Sequence, residues 1–475
     1  MYFSCCAQIA GVLGNQVYLP GTGLYNATET SYWSTQEASL VPACIVSPHT
    51  SSDVAAFIST VSRIANCSFA IKTQGHAPAA GAANINGGVT LDLSCMNNTA
   101  ISADHSTARV DAGSSWSNVY DTLQPYNKTV AGGRNGAVGV GGLTIGGGIS
   151  YYSPQVGWTC DTVVNFEVVL ATGDLVNANS TSNPDLYRAL KGGGNNFGVV
   201  TAIEFATIDA VPLRAGHLFQ SQDYAEQVLR AFAGIASADN YDVHASIVTS
   251  FSFDQTTHEW TVVSVPIYTL PEMDPAVYQE LFAIPNTTEL TTASIENIST
   301  LATEAPYPQK YEAFYTSTYA ADGDLLLNVF NAANQTLGWD PYPTDVSVAM
   351  SFEPLPTVLT EHGEATNSLG TSPSDGNSVI LLISVSWSSS ASTSSAERIG
   401  RALLDELDKT ARASNGLRRF RYLNYASPIQ HPLESYGEDN LEMLRNVSAR
   451  YDPSGMFQRR VPGGFKLWED FSANS

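Results

Sequence analysis

The residues best suited to chemistry in this chain are a histidine and two clusters of glycine. His76 lies directly after Gly75 in a loop that follows the apolar segment 67–72, and the second cluster spans Gly132–Gly148. Glycine lets backbone amides approach an anion closely and point several N–H groups at it. Two such loops predict a site that grips the phosphates of a dinucleotide from both sides. In that arrangement His76 is a candidate covalent anchor for the cofactor.

Simpler interpretations compete with this one. A histidine beside glycine is usually a turn residue, and glycine clusters usually mark tight turns. The second cluster also departs from the dinucleotide fingerprint G-x-G-x-x-G, because Thr144 stands where the third glycine belongs after Gly139 and Gly141. It is not a P-loop, since no Gly-Lys-Ser/Thr follows. A phosphate held by these loops therefore belongs to a different fold.

The hydrophobic pattern places the loops at the ends of secondary-structure elements. In the first half we predict helices at 52–65, 115–123 and 184–190, and strands at 68–72, 89–93, 108–112 and 163–171. A third glycine loop, 191–198, runs into another strand. Beyond about residue 206 the predicted strands are longer, at 244–253, 259–268, 345–353 and 378–387, with helices at 223–236, 275–282, 291–303, 395–414 and 434–451. Alternating strands beside amphipathic helices predict an α+β protein.

Composition narrows the functional class. The chain has 475 residues, 43% of them hydrophobic, which is enough to bury sizeable cores. Its net charge is −23, with 22 Lys and Arg against 45 Asp and Glu. Such a charge repels nucleic acids and anionic membrane surfaces, so neither is an expected partner. No apolar run reaches the roughly 18 residues of a transmembrane candidate, so no membrane span is expected.

Glycosylation signals indicate the secretory pathway. Nine Asn-x-Ser/Thr sequons occur, at Asn26, Asn66, Asn97, Asn127, Asn179, Asn286, Asn297, Asn334 and Asn446. This number favours a secreted glycoprotein. The first residues lack the basic and apolar regions of a signal peptide, so we expect a secreted chain from which the signal has been removed.

Six cysteines support the same compartment. They are Cys5, Cys6, Cys44, Cys67, Cys95 and Cys160. Cys67 and Cys95, which flank a predicted strand pair, are candidates for one bridge, and Cys5 or Cys6 is a candidate partner of Cys44; the sequence leaves the connectivity open. Cys160 is then left with the spare N-terminal cysteine or as a free thiol. Six reduced thiols in a cytosolic protein are the alternative.

Six motifs, in order along nearly the whole chain, resemble those of the vanillyl-alcohol-oxidase superfamily of FAD enzymes. They are the segments 42–54, 72–77, 139–148, 192–198, 422–425 and 451–457. Lys72-Thr-Gln-Gly-His-Ala77 is similar to the superfamily's Arg-Ser-Gly-Gly-His-Ser loop, with Thr73, Gln74 and Ala77 as departures. The details resemble the berberine-bridge-enzyme-like branch of FAD-linked oxidoreductases, in particular its secreted members from filamentous fungi.

The resemblance implies an α+β, two-domain PCMH-type FAD-binding fold. Residues 1–205 would form the FAD-binding domain, with a core at about 38–208. Residues 206–430 would form a substrate domain, an antiparallel sheet covered by helices, and residues 431–475 would return to the FAD domain. The flavin would lie where the two domains meet, a usual place for a small-molecule site.

The same resemblance implies which residues hold the cofactor. His76 falls on the flavin-linking histidine, which bonds the 8α-methyl carbon. Asn135 stands where many members carry a second, cysteinyl link, so one covalent bond is expected. Val138 falls on the gate residue, where valine favours reaction with O2. The implied cofactor residues are Lys72, Thr73, Gln74, Gly75, His76, Ala77, Gly133, Asn135, Gly136, Val138, Gly139, Gly142, Thr144, Gly147, Gly148, Val200 and Asn424; no metal is expected.

Tyrosine and carboxylate groups are the candidate bases. Tyr425 matches a family position that faces the flavin and is our first candidate, with Tyr422 as its neighbour. For both, a packed ring with a satisfied hydroxyl is the alternative. Glu353 ends the strand predicted over 347–352 and could face the flavin, although a solvated strand end is the simpler interpretation.

Three functions fit these patterns. The first is a secreted FAD-dependent oxidase that takes a hydride from an alcohol or amine of a secondary metabolite and passes the electrons to O2, giving H2O2. The second is a carbohydrate or oligosaccharide oxidase. The third is a pericyclase that keeps FAD as a structural part and catalyses a cyclisation without redox turnover.

Overall fold

The computed structural model describes residues 2–303, 309–339 and 342–468. The N-terminal half contains a four-stranded sheet in the order Val17–Tyr18, Cys44–Val46, Val89–Asp92, Phe69–Lys72. Its last three strands are parallel. A second, antiparallel sheet has the order Thr99–Ile101, Thr107–Asp111, Val199–Ala206, Val163–Val169, Leu175–Ala178. Lys128–Thr129 also pairs with Ile208–Asp209.

Helices flank these two sheets. They are Tyr2–Leu13, Gly23–Glu29, Thr35–Ala38, Ser51–Ser62, Trp116–Leu123, Val140–Ile145, Ser153–Val156 and Pro184–Leu190. Ser51–Ser62 begins with a capping box: the Thr50 hydroxyl accepts from the Asp53 amide while the Asp53 carboxylate accepts from the Thr50 amide. Its apolar face, including Phe57, is buried against the first sheet. The loop with His76 leaves this sheet at Lys72.

The large sheet follows in the chain. Its order is Ser294–Glu296, Leu213–Ala215, Glu259–Tyr268, Ala245–Asp254, Val346–Leu355, Ser378–Trp387, Tyr311–Ala320, with Leu218–Ser221 also paired to Glu259–Tyr268. All its pairings are antiparallel. The helices of this part are Ala225–Ala236, Gln279–Phe282, Ile298–Leu301, Gly323–Trp339, Thr357–Gly363 and Thr393–Ala413. The α+β prediction is confirmed.

The two faces of the large sheet differ in chemistry. One face carries Phe251, Met350, Ile383 and Tyr315 in a cross-strand row and packs under the long helices. We call the opposite side the open face; its side chains include Glu312, Phe314, Ser351, Glu353 and Ser384. The separation follows from the two-residue period of a strand.

The C-terminal segment packs against the N-terminal half. Its helices are Glu438–Tyr451 and Met456–Arg459. Arg450 forms an ion pair with Asp185 at 2.7 Å, and Arg460 Nη1 donates to the carbonyl of Val61 at 2.8 Å. Phe457 meets Phe69 edge-on at 6.3 Å between ring centroids. The C-terminal segment therefore packs into the same structural unit as the N-terminal half.

Two predictions about the fold are wrong. Cys67 is bonded to Cys5 rather than Cys95, and Cys6 is bonded to Cys44, which confirms the second expected bridge. The helix Tyr2–Leu13 packs on Ser51–Ser62 and brings both of its cysteines to buried partners, whereas Cys95 is exposed at the end of a short 3-10 helix. The predicted helix 291–303 is a strand, Ser294–Glu296, followed by the short helix Ile298–Leu301, because the strand pairs with Leu213–Ala215.

Candidate active site

The three glycine loops lie against one another. A Cβ at Gly139 would stand 2.4 Å from Thr73 Oγ1, so the second loop approaches the first closely only because this residue is glycine. The amides of Gly192 and Gly194 both donate to the carbonyl of Ile145, at 3.1 and 3.0 Å. The structure thus brings together the segments that the sequence places far apart.

The short helix Val140–Ile145, within the second glycine cluster, leaves room beside its backbone. Gly142 is exposed, and a Cβ there would meet nothing closer than Thr73 Oγ1 at 3.9 Å. Gly148 is the contrasting case: it has φ +85°, and its Cβ would lie 2.5 Å from Leu143 Cδ2. Gly142 thus offers an open backbone to a ligand, while Gly148 is required by the fold.

His76 is half-buried and stacks on Trp33, with ring centroids 4.8 Å apart. Burial lowers the pKa of His76 from 6.5 to about 4. The imidazole is therefore neutral at physiological pH and keeps a nitrogen lone pair for bond formation. Sequence reasoning did not find Trp33, which no motif marks.

Several predicted cofactor residues already have protein partners. Lys72 is buried and pairs with Asp92 at 3.5 Å, and Gln74 Nε2 donates to the carbonyl of Gly113 at 2.6 Å. Thr144 Oγ1 donates to the carbonyl of Val140 at 2.7 Å. These side chains brace the loops, so contacts to a cofactor would come from the backbone around them.

The other predicted cofactor residues surround the same loops. Asn135 Oδ1 accepts from the amide of Ala137 at 2.9 Å, and Asn424 Nδ2 donates to the carbonyl of Leu143 at 3.0 Å. The remaining contacts tie down the loop backbone: Tyr120 OH donates to Gly133 O at 2.7 Å, Gly136 N donates to Ala302 O at 2.8 Å, and Gly147 N donates to Thr144 O at 3.1 Å. Ala77 and Val138 are half-buried, and Val200 is buried.

The acid–base candidates meet around one carboxylate oxygen. Tyr425 lies on the turn Leu423–Tyr425, and its hydroxyl donates to Glu353 Oε1 at 2.9 Å. Arg134 Nη2 lies 2.9 Å from the same oxygen and donates to the Tyr425 hydroxyl at 2.7 Å. The three side chains come from the second glycine loop, the large sheet and the C-terminal part of the chain. Arg134 lies inside the second glycine cluster but was not predicted as a site residue.

Charge and burial set the roles available to this cluster. Burial and then the nearby Glu353 carboxylate raise the pKa of Tyr425 well above 10.0, so its hydroxyl keeps its proton. Burial opposes the charge of Arg134, but Glu353 and the surrounding phenols outweigh it and raise the pKa of Arg134. Glu353 Oε2 is buried and has no hydrogen-bond partner among the described residues. A buried carboxylate oxygen without a donor is suited to take a proton.

Glu353 is not the solvated strand end that was the simpler interpretation. It lies inside the strand Val346–Leu355 and is 4% exposed. Tyr422 is buried and stacks on Trp158 at 5.4 Å, while its hydroxyl accepts from Asn424 Nδ2 at 3.0 Å. It touches the ring of Tyr425 edge-on at 4.8 Å. The structure therefore places Tyr422 behind Tyr425, as a packed ring.

An aromatic side chain links the histidine to this cluster. Phe314 lies 5.5 Å from Trp33 and 6.3 Å from Tyr425 between ring centroids. It is on the open face of the edge strand Tyr311–Ala320, which our sequence analysis did not predict. Its strand also carries Glu312, which is 4% exposed and whose Oε1 lacks a hydrogen-bond partner among the described residues.

Two features are absent from the described residues. No group of His, Cys, Asp and Glu side chains in this part of the chain has the arrangement that holds a metal ion. None of the helices described has both the length and the apolar character needed to cross a bilayer.

Comparison with known proteins assigns the family. The FAD binding domain profile matches residues 42–179. The FAD-dependent monooxygenase tpcD of Cochliobolus heterostrophus is 35% identical over 501 residues, covering 98% of this chain and 95% of the relative. The FAD-dependent monooxygenase sdcF of Emericella nidulans is 34% identical over 474 residues, with 98% of both chains covered.

Solved structures share the fold at low identity. BBE-like 1 of Physcomitrella patens has a TM-score of 0.79 and 17% identity, covering 99% of this chain and 100% of the other. Glucooligosaccharide oxidase of Acremonium strictum, whose FAD carries 6-S-cysteinyl and 8α-N1-histidyl links, has a TM-score of 0.76 and 18% identity, covering 97% and 99%. With the fungal relatives, these show a PCMH-type FAD-binding oxidase fold. The chain belongs to the berberine-bridge-enzyme-like family of FAD-linked oxidoreductases.

Proposed function

We propose that this protein is a secreted oxidase that converts an alcohol or amine of a fungal secondary metabolite to the carbonyl or imine. The observation that carries the proposal is the contact between Tyr425, Glu353 and Arg134, with Glu353 Oε2 left without a donor among the described residues. The fungal relatives named FAD-dependent monooxygenases support redox chemistry on a small molecule.

The loops fit FAD. A larger side chain at Gly142 would fill the open space above its backbone, while Gly139 lets the second loop pack closely against Thr73. When bound, FAD accepts a hydride from the substrate carbon and passes the electrons to O2, which gives H2O2. Val138 beside this loop is the residue we propose to admit O2. We expect residues 1–205 and 431–475 to bind the cofactor, and residues 206–430 to bind the substrate.

Glu353 supplies the base in this proposal. Its Oε2 accepts the proton of the substrate O–H or N–H as the neighbouring C–H bond breaks. Tyr425 keeps its own proton and donates it to Oε1 in a hydrogen bond, which fixes the carboxylate and leaves Oε2 for the substrate. Tyr422 packs behind Tyr425 and has no proton-transfer role. The proposed base is therefore Glu353 rather than Tyr425, our first candidate from the sequence.

His76 forms the single covalent link to FAD. The imidazole is neutral and is oriented by its stack on Trp33, so a ring nitrogen is available as the nucleophile. Asn135 has no thiol and therefore cannot form a second, thioether link. After denaturation in acid, the yellow colour should stay with the wild-type polypeptide and leave His76→Ala. A wild-type protein that releases all its flavin would contradict the link.

A matched pair of glycine variants tests whether FAD lies over Gly142. Gly142→Ala meets no protein atom closer than 3.9 Å, so the melting temperature of the cofactor-free protein should be unchanged while FAD binding weakens. Gly148→Ala places a methyl group against Leu143 and should lower the melting temperature itself. If Gly142→Ala binds FAD as the wild type does, the cofactor does not lie over this loop.

Anaerobic mixing with a panel of phenolic alcohols, amines and oligosaccharides tests the reaction. The proposal expects bleaching of the flavin by an alcohol or amine, followed in air by one H2O2 per product. Bleaching by oligosaccharides would identify a carbohydrate oxidase, and incorporation of 18O from O2 would identify a monooxygenase. Product formation without bleaching would identify a pericyclase.

Secretion is part of the proposal. Two disulfides tie the N-terminal helix to the first sheet and its neighbouring loop. None of the nine sequon asparagines is buried: seven are exposed, and Asn179 and Asn286 are half-buried. Digestion with an N-glycosidase should reduce the mass of the natively expressed protein; an unchanged mass would contradict glycosylation.

A further inference from the structure

Arg134 belongs to the cofactor loop, yet its partners lie on other parts of the chain. One nitrogen, Nη2, contacts both Glu353 Oε1 and the Tyr425 hydroxyl, at 2.9 and 2.7 Å. The Arg134 side chain is 18% exposed and that of Glu353 is 5% exposed. The ion pair therefore lies where water screens charge poorly, and its loss leaves a buried carboxylate without a counter-ion.

The other titratable groups that interact with Glu353 are phenols. Tyr151 follows the second glycine loop, and Tyr422 and Tyr425 belong to the C-terminal part of the chain. None of these can supply a positive charge. In the described part of the chain, Arg134 is the cation that forms an ion pair with Glu353.

We propose that Arg134 is a positioning residue that keeps Glu353 ionised and holds Oε1, so that Oε2 stays available for the substrate proton. This inference rests on the proposed function, in which Glu353 is the base. In the reaction Oε2 would take the proton of the substrate O–H or N–H, and bound FAD would supply the acceptor for the hydride of the adjacent carbon. Arg134 exchanges no proton in this step; its charge makes the acceptor ready before the substrate arrives.

A purely structural tie between the loop and the sheet is the competing explanation. The two differ in what a change of charge does to the carboxylate. Arg134→Gln keeps hydrogen-bonding capacity but removes the charge, whereas Arg134→Lys keeps the charge but lacks the planar fork. A structural tie predicts lower stability in both variants and the same protonation of Glu353 in all folded proteins.

The test is an infrared titration of the FAD-loaded protein without substrate. The difference between each protein and its Glu353→Gln counterpart assigns the carboxyl band. We expect the protonated-acid band of Arg134→Gln to persist to a higher pH than in the wild type and in Arg134→Lys, which should titrate alike. The midpoint should rise by about 1 to 3 pH units, the usual effect of losing an opposite charge at this distance.

An unchanged midpoint in folded Arg134→Gln overturns the proposal. If Arg134→Gln does not fold, Arg134→Met combined with Glu353→Gln tests whether the buried charge is the cause: recovery of folding in the double variant supports the proposal, and failure to recover overturns it. Because no substrate is used, the titration is independent of the oxidase assignment. Failure of every panel compound to bleach the flavin would instead count against the proposed function.

Discussion

Two buried glutamates lie at opposite ends of the open face of the large sheet. Glu353 and Glu312 are each 4% exposed, and the strand register puts them on the same side: Glu353 and Thr318 flank Ile380, and Glu312 lies opposite Ser386. Yet only Glu353 has a cation at ion-pair distance among the described residues, namely Arg134 at 2.9 Å. Burial raises the pKa of Glu312 to about 7, against a smaller opposing effect of Lys310. Two residues of one type, face and exposure therefore differ in their charged neighbours.

The neighbouring segments explain the difference. The Glu353 end faces the glycine loops and the C-terminal turn, which bring a guanidinium and a phenol. The Glu312 end faces the segment around Gln36. The side-chain amide of Gln36 donates to the backbone C=O of Glu312 and accepts from its backbone N–H, but it does not bond the carboxyl group. The segments that face each end of the sheet therefore decide which glutamate has a cation and a hydrogen-bond donor beside it.

The largest effect is expected when each glutamate is neutralised in turn. Glu353→Gln removes the proposed base, so the rate of flavin reduction by substrate should fall by about 10²–10⁴-fold. Glu312→Gln is the matched control and should change that rate by less than about tenfold. Anaerobic stopped-flow measurement of flavin bleaching gives both values. A larger loss in Glu312→Gln would reverse the assignment of the two ends.

The phenol at the Glu353 end should matter less than the carboxylate. Tyr425→Phe removes a hydrogen bond to a charged group, worth about 1.5–3 kcal/mol, and so should slow flavin reduction by about 10- to 100-fold. Tyr422→Phe is its control, because that hydroxyl bonds Asn424 rather than Glu353. Equal rates for Tyr425→Phe and the wild type would show that the hydrogen bond from Tyr425 to Glu353 Oε1 does not contribute to flavin reduction.

Glu312 should make the free energy of unfolding depend on pH. Its pKa is about 7 in the folded protein and 4.5 ordinarily, so the folded state binds this proton more tightly. The contribution of Glu312 to stability is therefore complete below about pH 4.5 and is lost as the pH rises towards 7. Between pH 5 and 8 the wild type should lose on the order of 2–3 kcal/mol relative to Glu312→Gln.

Chemical unfolding of both proteins at the two pH values measures that difference. The lowered pKa of His76, about 4, acts in the opposite direction, since it favours the folded state as the pH rises from 4 to 6.5. Comparison with Glu312→Gln cancels this contribution because both proteins contain His76. A constant difference across the range would mean that Glu312 is ionised in both states.

The middle of the open face should give the smallest effect. Ser351 Oγ and Ser250 Oγ are 2.7 Å apart, on adjacent strands. Ser351→Ala removes a bond worth about 0.5–1.5 kcal/mol, so a few-fold rise in KM with little change in kcat is expected. Steady-state peroxide assays provide the numbers. A large loss of kcat would place reacting atoms over this serine instead of beside Glu353.

Sequence reasoning worked where one residue type is demanded by backbone geometry. Gly139 and Gly148 could be predicted to matter because any side chain there would collide with a neighbouring loop or helix. The strands Glu259–Tyr268 and Ser378–Trp387 were predicted with their observed bounds because their alternation is regular. Sequence reasoning failed for Cys67, because its disulfide partner depends on where the N-terminal helix packs.

Several features can be recognised from the linear chain without the structure. They are the glycine loops, the histidine in the first of them, the alternation of the long strands, and the acidic, cysteine-bearing composition. These depend on local sterics and on periods of two or 3.6 residues, which a linear chain displays. The folded chain is needed to show that Arg134 and Tyr425 bond the same oxygen of Glu353, that Trp33 stacks on His76, and that the two glutamates have different neighbours. Those outcomes depend on Coulomb and packing contacts between segments as much as 291 residues apart, for which local spacing carries no signal.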